Sequence, residues 1–187
     1  GHAKNNALSN MISNWSQYDP LAAAEFALRE TQGDRLTMAL GSLSWQWGRS
    51  DPKGALEWAD KLSNEGAKEN FVANTLGAWA ESEPGSAMAY AERLKAGKEQ
   101  DNARLRVLSQ WANNNPQAAM NWAQQMPEGA TRENALGSVV GQWADIDPNG
   151  AARWLESQPS SRSKDSAIRS FSQRAAQVDP ESAAIWA

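Results

Sequence analysis

The stretch from Trp143 to Trp154, WADIDPNGAARW, decides the fold, because variants of it recur along the whole chain. In each copy a capping residue and a proline stand between two aromatic positions. The dipeptide recurs every 32 residues, without insertion or deletion, at Asp19-Pro20, Asp51-Pro52, Glu83-Pro84, Asn115-Pro116, Asp147-Pro148 and Asp179-Pro180. A fixed period of this length is typical of a solenoid, in which each repeat packs on its neighbours.

Two aromatic positions accompany the dipeptide. The first lies four residues before it, at Trp15, Trp47, Trp79, Trp111 and Trp143, and only Ala175 breaks the series. The second lies seven residues after its first member, at Phe26, Trp58, Tyr90, Trp122, Trp154 and Trp186. Because both positions fall on apolar stripes, we expect these tryptophans to be core residues.

Each repeat predicts two helices joined by a turn. The first helix begins at the dipeptide, because Asp and Asn are favoured N-caps and proline has a preset helical φ. Glu83 is a weaker cap. The apolar positions of this helix follow i, i+3, i+4, i+7 spacing, as in Ala55, Trp58, Ala59 and Leu62. The second helix carries a similar stripe, and no segment alternates as a strand would.

Small residues recur at two positions inside the second helix. They are Gly41, Ala73 and Gly137 at the first position, and Gly77, Ser109 and Gly141 at the second. Glycine inside a helix costs about 1 kcal/mol relative to alanine, so we expect a neighbouring helix to approach closely there. Trp45 occupies the second position in its own repeat. It either fills a gap between helices or projects from the surface as a contact residue.

The predicted fold is an all-α solenoid of antiparallel helix pairs, with about five full repeats and a half repeat at each end. Residues 1–2 are interpreted as a tag remnant and residues 3–187 as one array. Its repeats are 3–18 (partial), 19–50, 51–82, 83–114, 115–146, 147–178 and 179–187 (partial). The apolar faces at Met11–Trp15 and Ile185–Trp186 lack a capping repeat, so we expect a fragment of a longer array and end-to-end self-association.

A spacing of small residues across the two helices carries a family resemblance. A small residue on the first helix precedes one on the second by twelve positions, and an apolar residue follows four later. The matching sets are Ala27, Ala39 and Leu43; Ala91, Ala103 and Val107; and Ala123, Ala135 and Val139. The chain resembles tetratricopeptide-type helical repeats over essentially its whole length. Three features depart from that family: Phe71 at the second small position, a period of 32 instead of about 34, and the tryptophan before each dipeptide.

The resemblance implies that the first helices line a groove for a protein or peptide partner. A separate bacterial repeat family with the same helix-pair unit is the alternative assignment.

Composition disfavours several function classes. The net charge of −4 and pI near 5.1 argue against nucleic-acid binding, which favours a basic face. No apolar run approaches the ~20 residues of a membrane span. The chain has no cysteine, and its one histidine is His2 in the tag remnant, so the usual bases, thiol nucleophiles and zinc ligands are missing. We therefore expect no enzyme, catalytic residue, metal or cofactor, although a carboxylate pair of the glycosidase type is a third hypothesis.

One metal motif is present in the sequence. Asp145, Asp147, Asn149, Gly150 and Glu156 satisfy the EF-hand pattern for a calcium loop. The repeat register instead makes Asp147 an N-cap and residues 151–156 helix. The helical interpretation is preferred, and calcium is not predicted.

The leading functional hypothesis is a non-catalytic scaffold that presents an extended surface to a protein or peptide. The outward positions of the first helices change character from repeat to repeat, with Asn121, Gln124 and Gln125 expected to pair with a peptide backbone. The candidate interaction surface comprises Trp45, Glu57, Asp60, Lys61, Glu92, Arg93, Asn121, Gln124, Gln125 and Arg153. The alternative is a glycan-binding module of a secreted or cell-envelope protein, which would use exposed tryptophan.

Overall fold

The computed structural model describes residues 10–178, and every regular element in that range is an α-helix. The all-α prediction is therefore confirmed for these residues. In chain order the helices are α1 (residues 10–15), α2 (Pro20–Glu30), α3 (Asp34–Ser50), α4 (Pro52–Ala59), α5 (Glu65–Ala80), α6 (Pro84–Ala91), α7 (Lys98–Asn114), α8 (Pro116–Ala123), α9 (Ala130–Ile146), α10 (Pro148–Ser157) and α11 (Arg162–Val178). Each full repeat supplies one short first helix, even-numbered, and one long second helix, odd-numbered.

The first helices begin at the predicted caps. The side-chain Oδ1 atoms of Asp19, Asp51, Asn115 and Asp147 each accept a hydrogen bond of 2.9–3.0 Å from the backbone N–H three residues later. Glu83 is the exception, because its carboxylate makes no backbone cap and accepts from the Ser86 hydroxyl at 2.9 Å. The dipeptide thus starts the first helix in all five full repeats, and four of the five have the full cap.

The chain divides into two compact units, Gly1–Val107 and Leu108–Ala187, here called the N-terminal and C-terminal units. In the N-terminal unit α2 packs on α3, α3 on α4 and α5, α4 on α5, and α5 on α6. In the C-terminal unit α8 and α10 pack on α9, and α9 and α10 pack on α11. Successive second helices, α3 with α5 and α9 with α11, make the most extensive contacts. Within each unit the helix pairs therefore stack in chain order, as in a solenoid.

The small residues of the twelve-residue spacing form the centre of each helix pair. All nine residues of the three matching sets are buried, with at most 5% of their surface exposed. Phe71, at the departing position, is also buried, and its ring centroid lies 5.1 Å from that of Trp58. The added ring buries Trp58 to 3% exposure, and within residues 10–178 the indole Nε1 of Trp58 has no hydrogen-bond partner.

Two second helices approach each other closely at a glycine that the sequence analysis did not single out. A Cβ atom on Gly48 would lie 2.7 Å from the Thr75 carbonyl oxygen and 2.9 Å from its Cα, so α3 and α5 meet backbone to backbone there. At Gly77 and Gly137 the nearest atoms, also at 2.7 Å, belong to side chains of the next second helix. The sequence analysis also predicted a close approach at Gly41. It is absent there, because nothing lies within 4 Å of the position that a Cβ atom on Gly41 would take.

The apolar face predicted at the start of the chain is exposed in part. Met11 is 44% exposed and Trp15 is 37% exposed, and Tyr18 beside them is 87% exposed. The matching face at Ile185–Trp186 lies outside the described residues, as does the interpreted tag remnant. Self-association through these faces stays a prediction.

Alanine at Gly48 and at Gly41 should have opposite effects, although both residues lie inside α3. Gly48→Ala places a methyl group against the backbone of α5, which cannot rotate away, and should lower the free energy of unfolding by about 1–3 kcal/mol. Gly41→Ala meets open space and should raise it by about 0.5–1 kcal/mol through helix propensity. Urea unfolding followed by circular dichroism measures both. Equal effects of the two substitutions on the free energy of unfolding would contradict the close approach of α3 and α5 at Gly48.

Candidate interaction surface

Nine of the ten candidate residues lie on first helices or in the turns that follow them, and Trp45 lies on α3. Eight of the nine are exposed and Gln124 is half-buried. The predicted outward stripe therefore faces solvent. What separates its members is whether their side chains already have partners within the fold.

In the N-terminal unit most charged side chains of the stripe are paired, with each other or with second-helix residues. Lys61 Nζ lies 3.3 Å from Glu25 Oε1 on the preceding first helix, and Lys68 Nζ donates to Asp60 Oδ1 at 2.8 Å. The hydrogen bond that Lys68 donates to the Asp60 carboxylate raises the pKa of the Lys68 ammonium group. Glu92 receives two bonds, of 2.9 and 2.6 Å, from Arg104.

Exposed pairs of this kind contribute little stability, about 0–1 kcal/mol each. They nevertheless occupy the side chains that a partner would use. Glu57 and Arg93 are the charged candidates here whose side chains make no hydrogen bond or ion pair among residues 10–178, and Arg93 lies beside the Tyr90 ring.

Of the first-helix aromatic residues of the N-terminal unit, Trp58 is buried, whereas Phe26 and Tyr90 are half-buried and each has an arginine beside its ring. The Arg29 guanidinium carbon lies 5.7 Å from the Phe26 ring centroid, and that of Arg93 lies 5.3 Å from the Tyr90 centroid. In each case the arginine follows the aromatic residue by three positions, so that it lies over the ring one helical turn on. Burial raises the pKa of the Tyr90 phenol.

The C-terminal unit lacks this cover. The positions three after its aromatic residues hold Gln125 and Ser157 in place of arginine, and the Ser157 hydroxyl donates to the Trp154 carbonyl at 2.7 Å. Trp122 and Trp154 are half-buried, so part of each indole faces solvent. The expectation that every repeat tryptophan lies in the core is wrong for these two, for the half-buried Trp111 and for Trp15, which is 37% exposed.

Three polar side chains beside these indoles are available to a partner. Asn121, Gln125 and Arg153 are exposed and make no hydrogen bond or ion pair within the described part of the chain. Gln124 differs, because its Nε2 donates to Gln158 Oε1 at 2.7 Å across two successive repeats. We call the set Asn121, Trp122, Gln125, Arg153 and Trp154 the indole–amide face.

Of the two interpretations of Trp45, the structure favours the one in which its ring fills a gap between helices. It is half-buried, and its Cζ3 atom lies 3.5 Å from the position of a Cβ on Gly77 of α5. The Arg106 side chain lies against the same glycine, with Cγ at 2.7 Å from that position. The ring therefore lies between α3 and α5 in place of projecting as a free platform.

The EF-hand match adopts helical geometry. Asp147 caps α10, whose helix Pro148–Ser157 contains the other motif residues from Asn149 to Glu156. Among residues 10–178 there is no cluster of three or more side chains suited to hold a metal ion. No helix in that range combines the length and the apolar character needed to cross a bilayer.

Comparison with family models, with curated proteins and with solved structures finds no match to this chain.

Trp122 and Trp143 offer a direct measurement of how much the first-helix indole is buried. Trp143 is 8% exposed, and Trp143→Ala should lower the free energy of unfolding by about 3–5 kcal/mol, as large core truncations do. Trp122→Ala should cost less, roughly 1–2 kcal/mol, because part of its ring is already in water. Chemical denaturation of the two variants tests this order. A larger loss of unfolding free energy for Trp122→Ala than for Trp143→Ala would show that Trp122 is a core residue.

Proposed function

We propose that the chain is a non-catalytic scaffold that binds an extended polypeptide segment on the indole–amide face. The observation that carries the proposal is the contrast between the two units. In the N-terminal unit Trp58 is buried, Phe26 and Tyr90 are half-buried with an arginine over each ring, and most charges are paired. In the C-terminal unit two partly exposed indoles lie beside three polar side chains without partners.

The chemistry of the indole–amide face suits a peptide. Asn and Gln side chains offer both a donor and an acceptor, as a peptide bond does, and Arg153 adds a fork of donors for carbonyl or carboxylate oxygens. The indoles supply apolar contact area together with an N–H donor. Tryptophan and arginine are also the residue types that dominate binding energy at protein interfaces.

The repeat places these groups in register. Asn121 and Arg153 occupy the same position of two successive repeats, as do Trp122 and Trp154. A segment lying across α8 and α10 would therefore meet the same two repeat positions twice, with a polar side chain and an indole each time. The tetratricopeptide-like interpretation, itself part of this proposal, assigns the partner to the first helices as well.

Glycan binding is less well supported by the geometry. The hypothesis needs an indole with a free ring face, and Trp45 is instead packed between two helices. Trp122 and Trp154 are the indoles that could serve a sugar, but each is half-buried. A peptide can use a partly exposed ring edge together with its neighbouring amides, so the peptide hypothesis is preferred.

The test is a selection of random peptides by the wild-type chain, followed by affinity measurements on two double variants. Asn121→Ala/Arg153→Ala removes polar groups from the indole–amide face. Asn134→Ala/Arg169→Ala is the matched control, since it removes the same residue types from exposed positions on α9 and α11. We expect the first variant to weaken binding by about tenfold or more, and the control to leave it unchanged.

Equal losses of peptide affinity in the two double variants would show that the binding site does not lie on the indole–amide face. A parallel titration with chitin-derived oligosaccharides separates the alternatives. Saturable sugar binding that Asn121→Ala/Arg153→Ala abolishes, with no peptide selected, would replace the peptide assignment by a glycan one.

A further inference from the structure

We infer that the indole–amide face takes a proline-rich segment in the polyproline II conformation, with one proline on Trp122 and another, three residues along the segment, on Trp154. The inference deepens the proposed function and rests on it, because it names the chemical class of polypeptide that this face binds. Three features of the face select that class: open indole rings, hydrogen-bond donors without partners, and the spacing of α8 and α10.

The rings of Trp122 and Trp154 lack the aromatic partner that earlier repeats provide. In the N-terminal unit each first-helix ring pairs with the tryptophan four residues before its dipeptide, at centroid distances of 5.6, 5.8 and 6.5 Å. These pairs are Trp15–Phe26, Trp47–Trp58 and Trp79–Tyr90. Trp122 and Trp154 are half-buried and make no ring pair within residues 10–178. Part of each ring is therefore open to a ligand, and aromatic-lined grooves are the usual receptors of proline-rich segments.

The indole N–H groups of the face are accessible and unpaired. Neither Nε1 atom donates a hydrogen bond within residues 10–178, and neither is enclosed, since the buried side-chain N–H groups without a partner in that range belong to Trp58 and Arg132. Indole and guanidinium groups can only donate. Trp122, Trp154 and Arg153 therefore favour a ligand that offers free carbonyl oxygens.

Polyproline II is a backbone that presents such oxygens. It has no internal hydrogen bonds, so its carbonyls are all available, and proline has no N–H group of its own that needs an acceptor. A helical ligand pairs its carbonyls internally and would leave the donors of the face without acceptors. Asn121 and Gln125 can donate or accept, and so serve the residues between the prolines.

The spacing of the two indoles matches the period of this conformation. α8 and α10 lie side by side, since both pack on α9 and Gln124 Nε2 donates to Gln158 Oε1 at 2.7 Å. Neighbouring helix axes are about 8–10 Å apart, and Trp122 and Trp154 hold the same position on each. Three residues of polyproline II span about 9.3 Å. Two residues of a β-strand, the repeat along one of its faces, span only roughly 6.6–6.8 Å. Prolines at i and i+3 therefore reach both indoles, whereas one face of a strand does not keep step with them.

The experiment measures the affinity of the full chain for two fluorescein-labelled peptides of equal composition, PAAPAAPAA and PAAAPAAAP, by fluorescence anisotropy. Only the first has prolines three residues apart. We expect it to bind about fivefold or more tightly than the second, because the second cannot place prolines on both indoles at once. Equal affinities of the two peptides would overturn the inference.

Three variants locate the bound peptide. Trp154→Leu should weaken the binding of PAAPAAPAA about tenfold, since it removes a ring and its N–H donor. Tyr90→Leu, the matched control, removes the half-buried ring at the same repeat position in the N-terminal unit and should leave the affinity unchanged. Gln125→Ala changes an exposed residue and should weaken binding roughly 3- to 10-fold through the loss of one hydrogen bond. It keeps the test decisive if Trp154→Leu does not fold.

The outcomes separate this inference from the function on which it rests. Full binding of PAAPAAPAA by both Trp154→Leu and Gln125→Ala would overturn the placement on the two indoles. If peptides selected at random bind the indole–amide face without prolines three residues apart, and PAAPAAPAA does not bind, the proline assignment is wrong and the proposed function stands. Failure of every selected peptide to bind would overturn both.

Discussion

The capped dipeptide junction is the constraint on which the repeat depends. A side-chain oxygen accepts from the backbone N–H of the third residue of the first helix, and the proline that follows the capping residue fixes φ at the first helical position. The capping residues of the four fully capped repeats share φ between −143° and −148° and ψ between 79° and 84°. The turn between the second helix of one repeat and the first helix of the next is therefore built alike each time. That uniformity keeps the aromatic and small residues in phase.

Packing then differs between repeats according to single residues in the same frame. Phe71 fills a position that is alanine elsewhere and buries Trp58. Trp45 fills a gap that Gly141 leaves open. Arg29 and Arg93 lie beside the rings of Phe26 and Tyr90. Gln125 and Ser157 hold the equivalent positions after Trp122 and Trp154. The backbone plan is thus shared by the repeats, and the surface chemistry of each unit follows from a few side chains.

The helix pairs, their caps and the buried twelve-residue spacing could be predicted because they follow from local rules and a strict period. The partial exposure of Trp122 and Trp154 could not, because the apolar stripe gives the direction that a ring faces and not how completely neighbouring side chains cover it. The absence of arginine three residues later, at Gln125 and Ser157, was visible in the sequence. Gly48 and Gly41 look equivalent in sequence, and only the spacing of α3 and α5 separates them. The pairing of Gln124 with Gln158 depends on rotamers that no pattern specifies.

Glu83 offers the most direct measurement of the junction, because its repeat has the dipeptide but not the backbone cap. Glu83→Asp should create the missing bond to the Ser86 N–H and raise the free energy of unfolding by about 0.5–1 kcal/mol. Asp51→Glu, the reverse change at a capped junction, should lower it by a similar amount. Urea unfolding of both variants at neutral pH gives the answer. No change in either, or a loss of stability in Glu83→Asp, would contradict the central role of the cap.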